Sequence, residues 1–421
     1  MRSFWPWLWG FLGAVLIYRA TGRSRGVITD HLEFGRRLFS GDNLYAPYLE
    51  LKPLHPVYPP SLGLLTAPFS LVDQTLGETA ARFAWICVQV LALFVIGLCL
   101  RDFLRRVAPR LVLRHLHLIL FVTALITLRY ILRDTHGGGG NVINLALVLG
   151  ALKLATGEVG RAVLAGLLLG FSLATKPTGV LMVPLLWLFG QRRAAGLAVL
   201  WAGLLLGAAL AFHGHGFGPF LRWFDGSVAY ASMTDLFADP ENGFPRFTWM
   251  NQSLRCLVAR YLGTVPPGFV VQVPSPFFFQ GLGLPHLATA WISRGLGLAL
   301  LVASGWAVCR HRNDPDAHPF QIANVLCLSL LLSPISWKAH HVALIPAIFL
   351  VAAHGFCRPL RHPWPWIFLG AYILVCGLGE QLVGKELKNV QQSLYFTTAG
   401  TLALWGITLA WCLRPPRKSV T

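Results

Sequence analysis

The chain has 421 residues, of which 55% are hydrophobic and 12% charged, with a formal net charge of +18. A soluble domain usually carries about 25% charged residues, so a soluble globule is excluded. The apolar runs are too long and continuous for barrel strands, which leaves helices as the way to satisfy backbone groups in lipid.

In chain order, apolar stretches predict about twelve transmembrane helices: 4–19, 78–100, 111–128, 140–156, 161–175, 177–190, 194–212, 286–308, 319–334, 341–356, 364–380 and 395–413. The expected fold class is an all-α polytopic membrane protein, one integral membrane domain over 1–421, with long outer loops at 20–77 and 213–285. The first stretch reads as an uncleaved signal anchor, because Arg19-Ala-Thr-Gly-Arg follows it and no small-residue cleavage site does. Several stretches fall short of the ~20 residues of a straight crossing, which suits helices that end in a water-filled cavity. The clusters Arg101-Arg105-Arg106-Arg110, Arg192-Arg193, Arg310-Arg312, Arg358-Arg361 and Arg414-Arg417-Lys418 then share one side. The positive-inside rule makes that side cytoplasmic, with both termini inside a multi-pass cell inner membrane. This depends on two helices within 161–190, broken at Lys176-Pro177-Thr178-Gly179, where Pro and Gly interrupt a helix readily.

Basic residues sit in short loops rather than on one polar face, which points to membrane lipids and lipid phosphates as partners and not to nucleic acid. The eight cysteines show no metal spacing; Cys87, Cys99, Cys327, Cys376 and Cys412 lie in apolar runs and read as inert buried thiols. No nucleotide-binding glycine fingerprint, metal set or cofactor motif is evident.

The chemistry-bearing residues lie between the stretches. Asp30 follows the first one and is a candidate general base; the competing reading is the cap of a helix that starts at His31. Glu33 and Asp42 compete for the base role, although Asp42-Asn43 looks like a turn. Tyr58-Pro59-Pro60 and Pro68 argue against a regular helix there, leaving an interfacial anchor or the wall of a lipid groove. Arg129, Arg133, Asp134 and His136 lead into four glycines, Gly137 to Gly140, and then Asn141 and Asn144. Such glycines let backbone amides approach an anion; a flexible turn ahead of a helix is the plainer reading. Lys176 at the helix break is placed to meet a phosphate or to snorkel. Asn251, Gln252 and Ser253 form another polar loop, and Ser336-Trp337-Lys338-Ala339-His340-His341 opens a later stretch. Neighbouring histidines do not share a helix face, so one imidazole on a phosphate is expected rather than a zinc site. His213-Gly-His215 reads as loop. Five of these segments are expected to gather polar groups at the outer face.

The order of acid loop, YPP run, Gly-Asn helix start, KPTG break, NQSL loop and SPISW followed by His340-His341 resembles glycosyltransferase family 87 of the GT-C superfamily, over about residues 25 to 350. Members similar to it are polyprenyl-phosphate-mannose-dependent α-mannosyltransferases. The resemblance implies a GT-C type bundle with the active site in outer-face loops, and Asp30 as base toward an acceptor sugar hydroxyl. A sugar, mannose first, would pass with inversion from a polyprenyl-phosphate donor to a lipid-linked or glycan acceptor. The leaving phosphate would meet Lys176, Arg129, Arg133, Lys338 and His340 or His341; Asn251, Gln252 and Arg260 match the NQSL loop. Tyr58, Asn141, Asn144 and Trp337 complete the substrate-binding candidates. The family often has Gly-Gln-x-Asn where this chain has Gly140-Asn141-Val142-Ile143-Asn144, which leaves the donor sugar open. The alternatives are a transferase using another polyprenyl-phosphate sugar, or a transporter or flippase of lipid-linked sugar, which broken helices also suit. No internal repeat supports transport.

Overall fold

The computed structural model describes residues 4–22, 26–45, 47–48, 52–53, 58–155, 159–237, 247–266, 280–357 and 363–414. Arg358, Arg361, Arg417 and Lys418 of the predicted basic clusters lie outside them, as do parts of both long loops. Each of the twelve apolar stretches contains helix. Among the described residues, six helices are long and apolar enough to cross a membrane: Glu78–Val107, Leu116–Gly137, Arg192–His213, His286–Arg310, Lys338–Cys357 and Phe396–Leu413. A seventh arises if the bent pair Trp364–Gly377 and Leu382–Ser393 is one span, and Asn141–Ala155, Arg161–Thr175, Pro177–Leu188 and His318–Leu332 are shorter apolar helices. The long helices leave Leu91, Phe94, Val199, Leu204, Leu298 and Val302 exposed. Apolar surface on this scale belongs against lipid rather than water.

The chain divides into two compact units, Met1–Cys99 with Ile131–Ala229, and Leu100–Tyr130 with Tyr230–Thr421. In the first, Val27–Ser40 is an amphipathic helix whose His31, Phe34, Gly35 and Leu38 repeat at helical spacing and are buried. It ends at Gly41 in the left-handed region (φ 75°), which glycine adopts without a Cβ clash. The helix packs on Leu62–Leu76 around Phe34, Leu38, Leu44, Leu62 and Ala209. A short antiparallel pairing joins Pro47–Tyr48 to Lys52–Pro53.

Two expectations are corrected here. The helix expected to start at His31 starts at Val27 with Gly26 as its N-cap residue, so Asp30 lies in the first turn rather than at the cap position. Helix also continues through Pro68, inside Leu62–Leu76. Proline removes one helix hydrogen bond, but close packing holds the segment. The Ser70 hydroxyl donates to the Leu32 carbonyl (2.5 Å), and a Cβ at Gly35 would stand 2.8 Å from the Ala67 nitrogen. The predicted break is present: Val159–Thr175 ends, Lys176 is extended, and a short 3-10 turn Pro177–Gly179 precedes Met182–Leu188.

In the second unit, His318–Leu332 and Phe396–Leu413 pack together, tied by Asn324 Nδ2 donating to the Trp405 carbonyl and Thr408. A separate apolar core joins Phe247, Trp249, Cys256, Val265 and Tyr395.

Candidate active site

The polar residues of the first unit meet where two backbone turns touch. Leu116–Gly137 closes with Gly138 at φ 67°, its amide donating to the Thr135 carbonyl and that of Gly139 to the Asp134 carbonyl. Gly26 abuts this turn so closely that a Cβ would lie 2.6 Å from the Gly137 carbonyl oxygen. The start of Val27–Ser40, carrying Asp30 and His31, is thereby held against the glycine turn.

The group at the helix start that follows the glycine turn is the protein's own Asp134. Its buried carboxylate accepts from the Val142 amide (2.9 Å) and from Asn141 Nδ2 (2.6 Å), at the positive end of Asn141–Ala155. Asn141 Oδ1 in turn accepts a hydrogen bond from Lys176 Nζ. Asn144 accepts from Ser172 Oγ (2.6 Å) and donates to Thr178 Oγ1 (2.7 Å), clamping the Lys176 break to the same helix. Lys176 is thus held in place by a relay that begins at Asp134; burial lowers its pKa to about 8, and the Asp134 charge opposes that shift. Arg133 is exposed.

Around Lys176 the structure encloses a small pocket lined by His31, Tyr58, Trp85, Asn144 and Thr175 among others. His31 packs edge-on to Tyr58, ring centres 5.4 Å apart, and against Trp85 at 5.6 Å. Burial first, then the charges of Asp30 and Asp134, push the Tyr58 phenol well above its ordinary range. Asp30, which is half-buried, therefore lies within electrostatic reach of the pocket wall. Burial, followed by the charge of Lys176, holds His31 down at about 3, so its ring is neutral.

The rival acids are accounted for by their partners. Glu33 is buried in ion pairs with Arg36 (2.5 Å) and Arg37 (2.6 Å), and Asp42 is an exposed turn residue accepting from Ser40 Oγ at 2.6 Å. The His213 and His215 rings bond the Asp42 and Gly41 carbonyls, each at 2.7 Å, and close the same turn.

The second unit holds the other candidates. His341 is fully buried; its Nδ1 donates to the Trp337 carbonyl (2.9 Å), since a carbonyl only accepts. Its Nε2 has no hydrogen-bond partner among the described residues, and neither does Arg129 Nη2. Arg129 Nη1 donates to the Cys376 carbonyl at 2.7 Å, and the charges of Arg129 and Lys338 both act on the His341 ring. His340 is occupied differently, with Nδ1 3.1 Å from the Ile335 carbonyl and 3.3 Å from the Trp337 amide, which closes the turn after Trp337. Asn251 bonds the Ser336 amide (2.9 Å) and the Pro334 carbonyl (3.1 Å). Gln252 Nε2 donates to the carbonyls of Trp249 and Gln392 at 2.6 and 2.9 Å. The NQSL loop therefore latches the SPISW segment in place. Arg260 is buried with its guanidinium 5.2 Å from the Trp249 ring centre. Among the described residues no group of three or more His, Cys, Asp and Glu could hold a metal ion.

Sequence reasoning singled out Asp30 and Lys176 but gave no site role to His31, Asp134 or Trp85. His31 had a signal, a polar residue on the apolar face of its helix. Asp134 had one too, a carboxylate ahead of four glycines and a helix-opening Asn. Trp85 had none.

A family model, glycosyltransferase family 87, matches residues 57–334. The chain belongs to that family. The match takes in the YPP run, the glycine turn, the Lys176 break and the NQSL loop. A curated relative from Mycolicibacterium smegmatis is 28% identical over 338 residues, covering 78% of this chain and 69% of the relative. It is described as a polyprenol-phosphate-mannose-dependent alpha-(1-2)-phosphatidylinositol pentamannoside mannosyltransferase. This family 87 chain is a membrane glycosyltransferase, and membership favours transfer over the transporter or flippase reading.

Proposed function

We propose that this family 87 enzyme moves a hexose, mannose in the first instance, from a polyprenyl phosphate to a lipid-linked or glycan acceptor with inversion. The observation that carries the reading is the pairing, in one unit, of Asp30 with a pocket whose wall it acts on and whose cation is the anchored Lys176. Asp30 accepts the proton of an acceptor hydroxyl. That oxygen forms a bond to the anomeric carbon from the face opposite the leaving oxygen. The bond between that carbon and the phosphate oxygen breaks, and the electron pair leaves with polyprenyl phosphate. Leaving-group charge is best stabilised by donors fixed beforehand, and Lys176 is fixed through Asn141 to Asp134. In the second unit, His341 is favoured over His340 for a substrate role because its Nε2 is uncommitted, with Arg129 and Lys338 as its cationic neighbours.

The finer architecture belongs to the same proposal: one domain of about twelve transmembrane helices in the cell inner membrane, termini cytoplasmic, the site in outer-face loops. The relative's name supports a mannosylated phosphatidylinositol as the first acceptor to try.

The test is transfer of radiolabelled mannose from polyprenyl-phosphate-mannose to that acceptor by purified protein in nanodiscs. Asp30→Asn keeps the shape and removes the base, so transfer should fall roughly 100- to 10,000-fold with donor affinity retained. Wild-type rates in that variant would remove Asp30 from the chemistry.

A further inference from the structure

His31 is 4% exposed, and neither ring nitrogen meets full hydrogen-bond geometry with a described residue, although the Gly138 backbone lies close enough to one of them to act on the ring; the Trp85 indole N–H, 1% exposed, has no partner among the described residues. Both side chains line the pocket that also holds Lys176. Leaving buried donors and acceptors unsatisfied is unfavourable, and an instance in a well-packed region calls for an explanation. Packing does not require a histidine here, since a phenylalanine of similar shape would fill the apolar space between Tyr58 and Trp85 at no polar cost.

The pocket encloses about 20 Å³. Roughly 10–15 Å³ suffices for one water-sized oxygen, so the space fits a single oxygen atom, and the leaving phosphate proposed to meet Lys176 lies outside it, reached by another of the ammonium's three donors, one of which already serves Asn141. We propose that His31, with Lys176 and Trp85, forms a subsite that takes one hydroxyl group of a sugar and reads its presence. The chemistry matches a hydroxyl in both directions. A neutral imidazole offers one N–H and one bare nitrogen, and Lys176 and the indole offer only donors. A hydroxyl oxygen accepts from the donors and gives its proton to the bare nitrogen; a phosphate oxygen has no proton to give. The neutrality of His31, set by burial and the Lys176 charge, suits that exchange. Asn141 and Asn144 already have partners and serve to hold the lysine and the helix break in position.

The proposal rests on the transferase reading, and the hydroxyl belongs either to the donor sugar or to the acceptor sugar beside the attacking oxygen. The experiment measures binding, which needs no turnover. Short-chain polyprenyl-phosphate-mannose and its four monodeoxy mannosyl analogues are titrated onto wild-type protein in nanodiscs. In a second arm a mannosylated phosphatidylinositol and its monodeoxy analogues are used. Removing the hydroxyl that enters the subsite should weaken binding about 10- to 100-fold, and only one position in one arm should respond. In His31→Phe the intact ligand should bind as weakly as that deoxy analogue, and the penalty for deleting the hydroxyl should vanish. His31→Gln, which keeps a donor and an acceptor, should recover part of the difference, with thermal melting and size exclusion confirming that both variants fold. Intact and deoxy ligands weakened equally in His31→Phe would reduce His31 to packing, and equal binding of every analogue by wild type would also overturn the subsite. A wild type that binds neither glycolipid sinks the transferase reading and the subsite together, whereas binding with no deoxy penalty sinks the subsite alone.

Discussion

Single residues in the first unit divide into those that carry polar chemistry and those that hold them. Asp30 and Glu33 stand three positions apart on one helix, yet Glu33 is committed to two arginines. Those ion pairs make Glu33 a structural acid, while the Asp30 charge acts on Tyr58 in the pocket wall. His31 carries a prediction of its own. Its folded value near 3 lies below the ordinary 6.5, so between those values the unfolded chain binds a proton that the folded chain refuses. Stability is therefore present in full above pH 6.5 and declines as pH falls through that window, by about 1.4 kcal/mol per unit. Acidification to about pH 4.5 should remove roughly 2–3 kcal/mol, read as a lower melting temperature in detergent. His31→Phe should flatten the slope by about one proton; an unchanged slope would mean the ring is not buried neutral.

At the scale of elements, the site depends on how closely the Val27–Ser40 helix approaches Leu62–Leu76. Gly35 makes the approach possible, because any Cβ there meets the backbone of Ala67 and Thr66, both at 2.8 Å. Gly35→Ala should force the helices apart, lower stability by about 1–3 kcal/mol, and reduce transfer by displacing Asp30. Gly97→Ala is the matched control, since a Cβ there meets nothing within 4 Å. Added helix propensity should leave that variant as stable as wild type or slightly more so. Similar melting of the two variants would show that the helix contact is looser than drawn. The Lys176 break is a second element-scale device: an extended residue between two helical pieces frees the lysine from a helix ladder and lets Asn141 take it.

For the whole molecule, the open matter is which side of the membrane each segment faces. Cys309 and Cys357 are both exposed and outside any disulfide, near the ends of His286–Arg310 and Lys338–Cys357. In the proposed topology His318–Leu332 and then Lys338–Cys357 each cross the membrane, which returns the chain to the starting side. Both thiols should therefore react with a membrane-impermeant maleimide from the cytoplasmic side and be protected in intact cells. Labelling from opposite sides would break the proposed topology, and labelling of both from outside would invert it.

Class, the helices within the apolar stretches and the family were legible in the sequence because lipid imposes long apolar runs, and because Lys176-Pro177-Thr178-Gly179 and its companion motifs are contiguous in the chain; the helices Leu62–Leu76, Gly218–Ser232 and Leu254–Leu262 fall in the expected loops. The break at Lys176 could be foreseen, since Pro and Gly act locally. The helix through Pro68 could not, because packing from the Val27–Ser40 helix outweighs a local penalty. Nor could the roles of His31, Asp134 and Trp85 be read off, because each depends on residues far along the chain: His31 meets Lys176 across 145 positions, and Trp85 joins them only through the pocket. Sequence alone determined what kind of molecule this is and which reaction class to expect. Tertiary structure decided which acids are already neutralised, which histidine nitrogens are uncommitted and which cation is held in place, because partnership and burial are properties of contacts, and contacts exist only once the chain is folded.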